Sequence, residues 1–217
     1  QIVNSTIRDF YFYGIYHAYC RNTIVRNNII ERPNRASTST TYGIYMSTSS
    51  YNILVEKNRI RKLFDAIPSS TSTAYCMYNT ASGAAGFENK WINNLVYDIE
   101  SSGSLYGLYC PSYNFVHIYH NTISFDDATA TGTTSTYGIY AYGTSTEVKN
   151  NIISITRGGT GAKYCLYFST NTAVVSNNND LYIDAPSGSN NIGYASGAHA
   201  TLANWQAANG GAWDQNS

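Results

Sequence analysis

Paired carboxylates are the residues with which this chain could do acid–base chemistry. Only Asp126 and Asp127 are adjacent among its 13 acidic residues, and they follow an apolar segment where a loop is expected. Two carboxylates must meet across one face to divide acid and base roles, whereas neighbours in a strand point to opposite faces. The pair is a candidate for catalysis or calcium binding, but a solvated turn is the favoured interpretation.

A basic cluster offers a different chemistry, the binding of an acidic sugar. Arg59, Arg61 and Lys62 lie together, and the two arginines alternate with Ile60, so both should face outward. Arginine binds carboxylates bidentately, which makes Arg59 a candidate residue for such a substrate. A charged solvent face explains the same pattern and is favoured.

Two histidines form the densest group of titratable side chains. His117 and His120 flank Ile118, and Asp126 follows shortly after. A metal or catalytic role needs a shared face, which this spacing provides on a helix but not on a strand. His120 also stands where other repeats have Asn, so its interpretation as a substitute in the asparagine ladder is favoured.

Tyrosine forms the most regular pattern, Tyr-[Gly/Cys]-[Ile/Leu/Met]-Tyr, which occurs six times. In a strand, the aliphatic residue and the first Tyr should point inward, and the Gly or Cys and the second Tyr outward. A column of outward rings could receive sugar rings or another protein, or could merely stabilise the sheet. The predicted inward column is Tyr13, Tyr42, Tyr75, Tyr106, Tyr137 and Tyr164. The predicted outward, ligand-binding column is Tyr16, Tyr45, Tyr78, Tyr109, Tyr140 and Tyr167.

A second motif, Asn-x-aliphatic, follows each tyrosine motif after about 15 residues. Stacked asparagines can hydrogen-bond along a stack, and Asn tolerates the left-handed backbone of a tight turn. Ser5-x-Ile7 is a degenerate first copy, and Asn178 is an alternative to Asn179 in the last. The predicted structural ladder is Asn28, Asn58, Asn94, Asn121, Asn151 and Asn179.

These motifs need an element that brings equivalent residues above one another. The repeat is about 30 residues long, has no helical periodicity, and contains Ser/Thr/Gly-rich loops of variable length. Such a unit cannot bury its own apolar side and must stack on its neighbours. The sequence therefore predicts an all-β fold, a solenoid of about seven coils.

Composition excludes several classes of protein. The chain has 13 basic and 13 acidic residues, so it lacks the basic excess of a nucleic-acid or anionic-membrane surface. Asn, Ser and Thr make up 70 of 217 residues and Tyr another 21, which favours a folded chain over a disordered one. No apolar run is long enough to cross a membrane. No set of Cys and His residues has the spacing of a zinc site. Cys76 and Cys165 share one repeat position three coils apart, which is too far for the Cα separation that a disulfide needs. We therefore expect four buried free thiols.

The Asn-Asn-x-Ile strand endings and the coil length resemble right-handed parallel β-helix repeats of the pectate-lyase-like superfamily. The resemblance covers about residues 2–194 and implies that fold. It leaves open whether the chain is a lyase, a hydrolase or a scaffold. Lyases of this kind gather Asp residues around calcium and use an Arg as base, so calcium is the one cofactor that the lyase alternative would imply, and no other cofactor is expected.

The C-terminal segment contains Thr201-Leu202-Ala203-Asn204-Trp205-Gln206-Ala207-Ala208, followed by Asp214 and Ser217. This pattern is similar to a segment of large secreted surface proteins of Bacteroidota exported by the type IX pathway. Thr201 should cap a short helix that stops at Gly210. We expect one β-helix domain over residues 1–217, with coils over 1–194 and a helical excursion with an incomplete final coil over 195–217. The chain is expected to be part of a larger protein.

Taken together, these features favour a non-catalytic segment of a secreted or cell-surface protein that serves adhesion, surface presentation or glycan contact. Its expected partners are a polysaccharide or cell-surface glycan, the rest of its own chain and a secretion machinery, with no nucleic acid and no membrane insertion. One alternative is a polysaccharide lyase or glycoside hydrolase acting on an acidic polysaccharide. Another is a cargo of the secretion machinery without activity of its own.

Overall fold

The structure is a computed structural model that describes residues 1–111, 113–169 and 173–217. Its strands stack as a parallel β-solenoid, and 44% of the residues are in strands. Seven rungs, which span about six turns from the first to the last, each contribute one strand to each of three parallel sheets. These sheets are called A, B and C here. The predicted all-β solenoid is confirmed.

Sheets A and B meet at the corner where the asparagine motif lies. Sheet A consists of β1 (Ile2–Val3), β4 (Ile24–Arg26), β7 (Leu54–Glu56), β10 (Asn89–Ile92), β13 (Val116–Tyr119), β16 (Thr146–Lys149) and β19 (Val174–Asn177). Sheet B consists of β2 (Thr6–Arg8), β5 (Ile29–Glu31), β8 (Arg59–Arg61), β11 (Leu95–Val96), β14 (Thr122–Phe125), β17 (Ile152–Ile155) and β20 (Asp180–Ile183). Every pairing within the two sheets is parallel.

Sheet C carries the tyrosine motifs. It consists of β3 (Tyr13–His17), β6 (Thr41–Met46), β9 (Ala74–Asn79), β12 (Leu105–Cys110), β15 (Thr136–Ala141), β18 (Lys163–Phe168) and β21 (Asn190–Tyr194), with β22 (Ala198–His199) antiparallel at the end. The aliphatic residues of the motifs stack in register: Leu108 pairs with Ile139, and Ile139 with Leu166. All three are fully buried, which confirms the inward orientation of Ile139.

The prediction that the first Tyr of each motif points into the core is wrong. Along β12, Leu105, Gly107, Leu108 and Cys110 are buried, and only the two tyrosines are partly exposed. Two consecutive residues therefore point inward, and both tyrosines of the motif lie on the outer face. The other complete copies in β6, β9, β15 and β18 have the same burial pattern.

A small second residue of the motif accommodates this break in alternation. A Cβ on Gly107 would lie 2.6 Å from the carbonyl oxygen of Gly138 and 2.7 Å from Cγ2 of Ile123. The inward position is therefore crowded by the next rung and by sheet B, which favours a small residue there. Cys76 and Cys165 stand at the same position and are also fully buried, which corrects their predicted outward orientation.

The predicted asparagine ladder is present at the corner between sheets A and B. Asn121 is a representative member: its Oδ1 accepts from the backbone N and the Nδ2 of Asn94, both at 3.0 Å. Its own Nδ2 donates to Trp91 O at 2.8 Å and to Asn151 Oδ1 at 3.0 Å. The same side-chain link joins Asn28, Asn58, Asn94, Asn121, Asn151 and Asn179.

The residue before each ladder position turns the chain through the left-handed region. His120 has φ 56°, as Asn93 (55°) and Asn150 (56°) do. His120 therefore takes the place of a turn asparagine rather than of a ladder member. Asn178 has φ 58° and belongs to the same turn position, which assigns the last ladder residue as Asn179.

The C-terminal segment covers the last rung. Helix α1 (Leu202–Ala207) begins at Thr201, whose side chain accepts from Asn204 N as predicted, and a 3₁₀ turn (Ala208–Gly211) follows. Asp214 Oδ1 accepts from Asn179 Nδ2 at 2.8 Å, and Ser217 Oγ accepts from Asn179 N at 2.9 Å. These two oxygens take the acceptor positions that a further ladder asparagine would hold. Among the described residues no helix is long and apolar enough to cross a membrane.

All four cysteines are free thiols, as predicted. Cys76, Cys110 and Cys165 are buried, but Cys20 is half-buried, so burial holds for three of them. Burial raises the pKa of the Cys110 thiol to about 12. This thiol therefore stays protonated and packs as a small apolar group.

Candidate functional site

The outer face of sheet C is a continuous surface of tyrosine side chains. It contains both tyrosines of six rungs, and Tyr194 in the seventh. We call this set the tyrosine strip: Tyr13, Tyr16, Tyr42, Tyr45, Tyr75, Tyr78, Tyr106, Tyr109, Tyr137, Tyr140, Tyr164, Tyr167 and Tyr194. The sequence predicted the second column as an outward surface and missed that the first column joins it.

Rings in the first column stack face to face. From Tyr42 to Tyr164, successive rings are inclined by only 10–18°, with centroids 4.6–5.6 Å apart. Each interior ring of this column therefore has a tyrosine against both faces, and its edge and hydroxyl are left for solvent. At the first rung, where the stack ends, ring faces are open to solvent, and Tyr13 and Tyr16 are 43% and 52% exposed.

The second column is less regular but equally close. Its successive centroids are 4.4–5.2 Å apart, and the rings are inclined by 3–73°. Contacts between the columns, such as Tyr106 to Tyr109 at 4.8 Å, close the surface laterally. Aromatic pairs of this kind stabilise a structure by about 0.5–1.5 kcal/mol beyond their area burial.

The hydroxyls of the strip are neutral. Burial is the largest cause, and together with the neighbouring tyrosines it raises the pKa of Tyr109 and of Tyr167 to about 12. Tyr45 OH accepts from Thr80 Oγ1 at 3.3 Å. Over residues 1–111, 113–169 and 173–217 most of the other hydroxyls of the strip have no intramolecular partner, so they are free to act as donors and acceptors.

The basic cluster lies on sheet B, away from the tyrosine strip. Arg59 is exposed, as predicted, and lines an open cavity of about 200 Å³ with Asn4 and Asn27. Arg61 also faces outward but is paired with Glu31, with Nε and Oε2 2.9 Å apart. Of the two outward arginines, Arg59 is the one without such a paired carboxylate among the described residues.

Asp126 and Asp127 lie in a turn after β14. Asp127 Oδ1 accepts from the backbone N of Thr129 at 3.0 Å and from its hydroxyl at 2.7 Å, and Oδ2 accepts from Ser101 N at 3.3 Å. Asp127 thus caps its own turn and holds the adjacent rung. Asp126 is exposed.

A different set of carboxylates comes together, which the sequence analysis did not identify. Asp65, Asp98 and Glu100 place one ligand atom each within 4.8 Å of one another, a spacing that suits a calcium ion. Lys62 Nζ lies 3.1 Å from Asp65 Oδ2 and 3.3 Å from Asp98 Oδ2, so an ammonium offsets part of the negative charge of this group. Burial and the neighbouring carboxylates raise the pKa of Glu100.

His117 lies on sheet A beside Tyr119, with ring centroids 5.1 Å apart. Burial lowers its pKa, while Glu147 and Glu88 oppose the shift. Tyr119 OH donates to Glu147, which also pairs with Lys149. The described geometry therefore places His117 in a surface polar cluster with these residues.

Comparisons with protein-family models, with curated proteins and with solved structures find no match for this chain.

Proposed function

We propose that this chain is a non-catalytic β-solenoid segment of a larger secreted or cell-surface protein, and that it contacts a glycan through the tyrosine strip. The observation that supports this proposal is the strip itself: thirteen tyrosines on one face of a parallel sheet, most of whose hydroxyls have no partner among the described residues. Tyrosine supplies large contact area at a low cost in conformational entropy. A flat parallel sheet holds these groups in place before any ligand arrives.

The dimensions of the strip favour a linear polymer over a folded protein. Seven rungs spaced by about 4.8 Å span roughly 30 Å, and the Cα atoms of the two tyrosines of a rung lie about 10 Å apart along the strand. Their ring centroids lie only 4.8–5.8 Å apart. The strip thus presents on the order of 300 Å². A stable protein interface needs about 800 Å² from each partner, whereas an extended chain needs only a narrow track.

The orientation of the rings determines how such a chain would bind. Sugar rings stack on open aromatic faces, but interior rings of the first column already stack on each other. Hydroxyls and ring edges are therefore the groups that meet the ligand along most of the strip. Glycans carry many hydroxyls and are suited to such a row of neutral donors and acceptors.

The wider setting follows from the sequence resemblances. The parallel solenoid is consistent with a pectate-lyase-like β-helix, and the C-terminal segment is similar to those of type IX exported proteins. On this basis we propose secretion to the cell surface, the rest of a larger chain and the export machinery as partners.

The test removes hydroxyls and keeps rings. In affinity gel electrophoresis against a panel of soluble polysaccharides, we expect the chain to be retarded by at least one polymer. The double variant Tyr106→Phe/Tyr109→Phe should weaken this retardation, because each neutral hydrogen bond contributes about 0.5–1.5 kcal/mol. Tyr182→Phe is the matched control, since Tyr182 is 53% exposed but lies on sheet B.

Two results would contradict the proposal. Full retardation of the double variant would show that the strip hydroxyls do not bind the polymer. Polymers shortened after incubation with calcium, detected by mass spectrometry, would favour the lyase or hydrolase alternative. In that case the carboxylates of Asp65, Asp98 and Glu100 would be the first residues to substitute.

A further inference from the structure

The distribution of charge over the three sheets points to the class of glycan. We infer that the ligand of the tyrosine strip is an uncharged, linear polysaccharide that lies along the solenoid axis. This inference rests on the proposed function and specifies its ligand.

The strands of sheet C carry no outward charge. Among their residues the only Lys, Arg, Asp or Glu is Lys163, which is 1% exposed. Its Nζ donates to the carbonyl oxygens of Gly159, Gly161 and Ser187 at 2.7, 3.1 and 2.7 Å. The ammonium is thus fully engaged in the loops beside the sheet and unable to reach a ligand on the strip.

The other two sheets carry charged side chains on their outer faces. Sheet A has Arg26, Glu56, Lys90, Glu147 and Lys149 at exposed or partly exposed positions, and sheet B has Arg8, Arg59, Arg61 and Asp180. The 13 cations and 13 anions of the chain are therefore unevenly distributed, and the face with the largest aromatic surface is the neutral one. A uniform solvent-facing role would not require this difference between sheets.

A neutral face discriminates against a charged polymer. A carboxylate or sulfate brought against the strip loses water, and no described side chain of sheet C offers a cation to replace it. An ordinary sugar hydroxyl loses less and finds a phenol that both donates and accepts. The strip should therefore select a neutral polymer over the same polymer bearing acidic groups.

The geometry also sets the direction of the chain. Phenol groups recur with each rung along the axis, about every 4.8 Å, but only twice across it. A polymer along the axis can meet a new pair of hydroxyls at every rung, whereas one across the strip meets a single pair. Affinity should thus rise with oligosaccharide length until the seven rungs are filled, and then level off.

The experiment uses a soluble, linear, neutral β-glucan and a carboxymethylated derivative of the same polymer. Binding is measured by isothermal titration calorimetry with the full chain at two salt concentrations, about 0.05 and 0.5 M NaCl. We expect the neutral polymer to bind at least about tenfold more tightly. Its affinity should change little with salt, because screening acts on charge pairs.

A variant tests the charge argument by changing the protein instead of the polymer. Tyr140→Arg places a guanidinium on the half-buried outer face of β15 and should raise the affinity for the carboxymethylated polymer. Tyr182→Arg on sheet B is the control and should leave it unchanged. Equal effects of the two substitutions would overturn the assignment of the strip as the binding face.

The outcomes separate the inference from the proposed function. Tighter, salt-sensitive binding of the carboxymethylated polymer to the unmodified chain would overturn the inference, while glycan contact would stand. Absence of binding to both polymers, and to neutral and acidic polymers of other linkages, would overturn the proposed function and the inference with it.

Discussion

The buried part of the asparagine ladder should contribute strongly to stability, and Asn121→Ala tests this. The Asn121 side chain makes four hydrogen bonds at 2.8–3.0 Å and is fully buried. Its removal deprives the backbone groups Asn94 N and Trp91 O of their side-chain partner. Each buried polar group left unsatisfied costs about 1–3 kcal/mol, so we expect a loss of about 2–6 kcal/mol. Total stabilities are typically about 5–15 kcal/mol, so the loss is a large fraction.

The assay is urea unfolding, with the free energy of unfolding taken from the midpoint and slope. Asn28→Ala, at the first rung, is the matched control. Asn28 bonds Ser5 N and Ile2 O, which are only partly buried, so water can replace the lost side chain there. A loss below about 1 kcal/mol for Asn121→Ala, or equal losses for the two variants, would refute the reasoning that buried amide satisfaction holds the corner.

Two further substitutions test the core. Ile139→Asp should lower the free energy of unfolding by more than about 3 kcal/mol, because it buries an unpaired charge. The control Ile139→Leu copies Leu108 and Leu166 in the same column and should lower it by less than about 1.5 kcal/mol. An unchanged melting temperature for the Asp variant would contradict the inward orientation of Ile139. His17 is 6% exposed with no partner for either ring nitrogen among the described residues, and burial lowers its pKa below 6.5. The unfolded chain therefore binds a proton that the folded chain does not, and stability should fall as the pH drops below about 6.5. His17→Met, which copies the paired Met46, should reduce this loss in unfolding experiments at pH 7 and pH 5; equal pH dependence would contradict the assignment.

Periodicity sufficed to predict the rungs and the ladder, because both depend on which residues recur. A ladder asparagine must have an equivalent asparagine one coil away, and Asn121 and Asn151 have this spacing in the sequence and are hydrogen-bonded in the structure. Side-chain direction was harder, because the alternation rule assumes a regular strand. In all six motifs the residue after the first Tyr is Gly or Cys, and this restriction to small residues was the available sign of a close approach.

Features formed between coils were less visible in the sequence. Asp98 reaches Lys62 and Asp65 because β8 and β11 lie side by side, which places residues about one coil apart in contact. The Lys62–Asp65 ion pair, by contrast, joins residues only three apart in the sequence. Asp214 is fully buried where an exposed acidic residue near the C-terminus would be expected. Its role as acceptor for Asn179 depends on the path of the chain after α1, which no repeat pattern describes.

The tyrosine strip poses a question that stability alone does not answer. Stacking explains why aromatic rings recur at these positions, since adjacent rings in a parallel sheet stabilise one another. Phenylalanine would stack equally well, yet both motif positions are tyrosine in six rungs, and in the seventh one is Tyr194 and the other Asn191. An all-Phe strip would be an exposed apolar patch prone to aggregation. Solubility explains a polar group at the end of each ring, but charged side chains provide it on sheets A and B. The distinctive feature of sheet C is that its polarity is supplied by neutral hydroxyls on a rigid row of rings, which is the combination that an uncharged, hydroxyl-rich polymer requires.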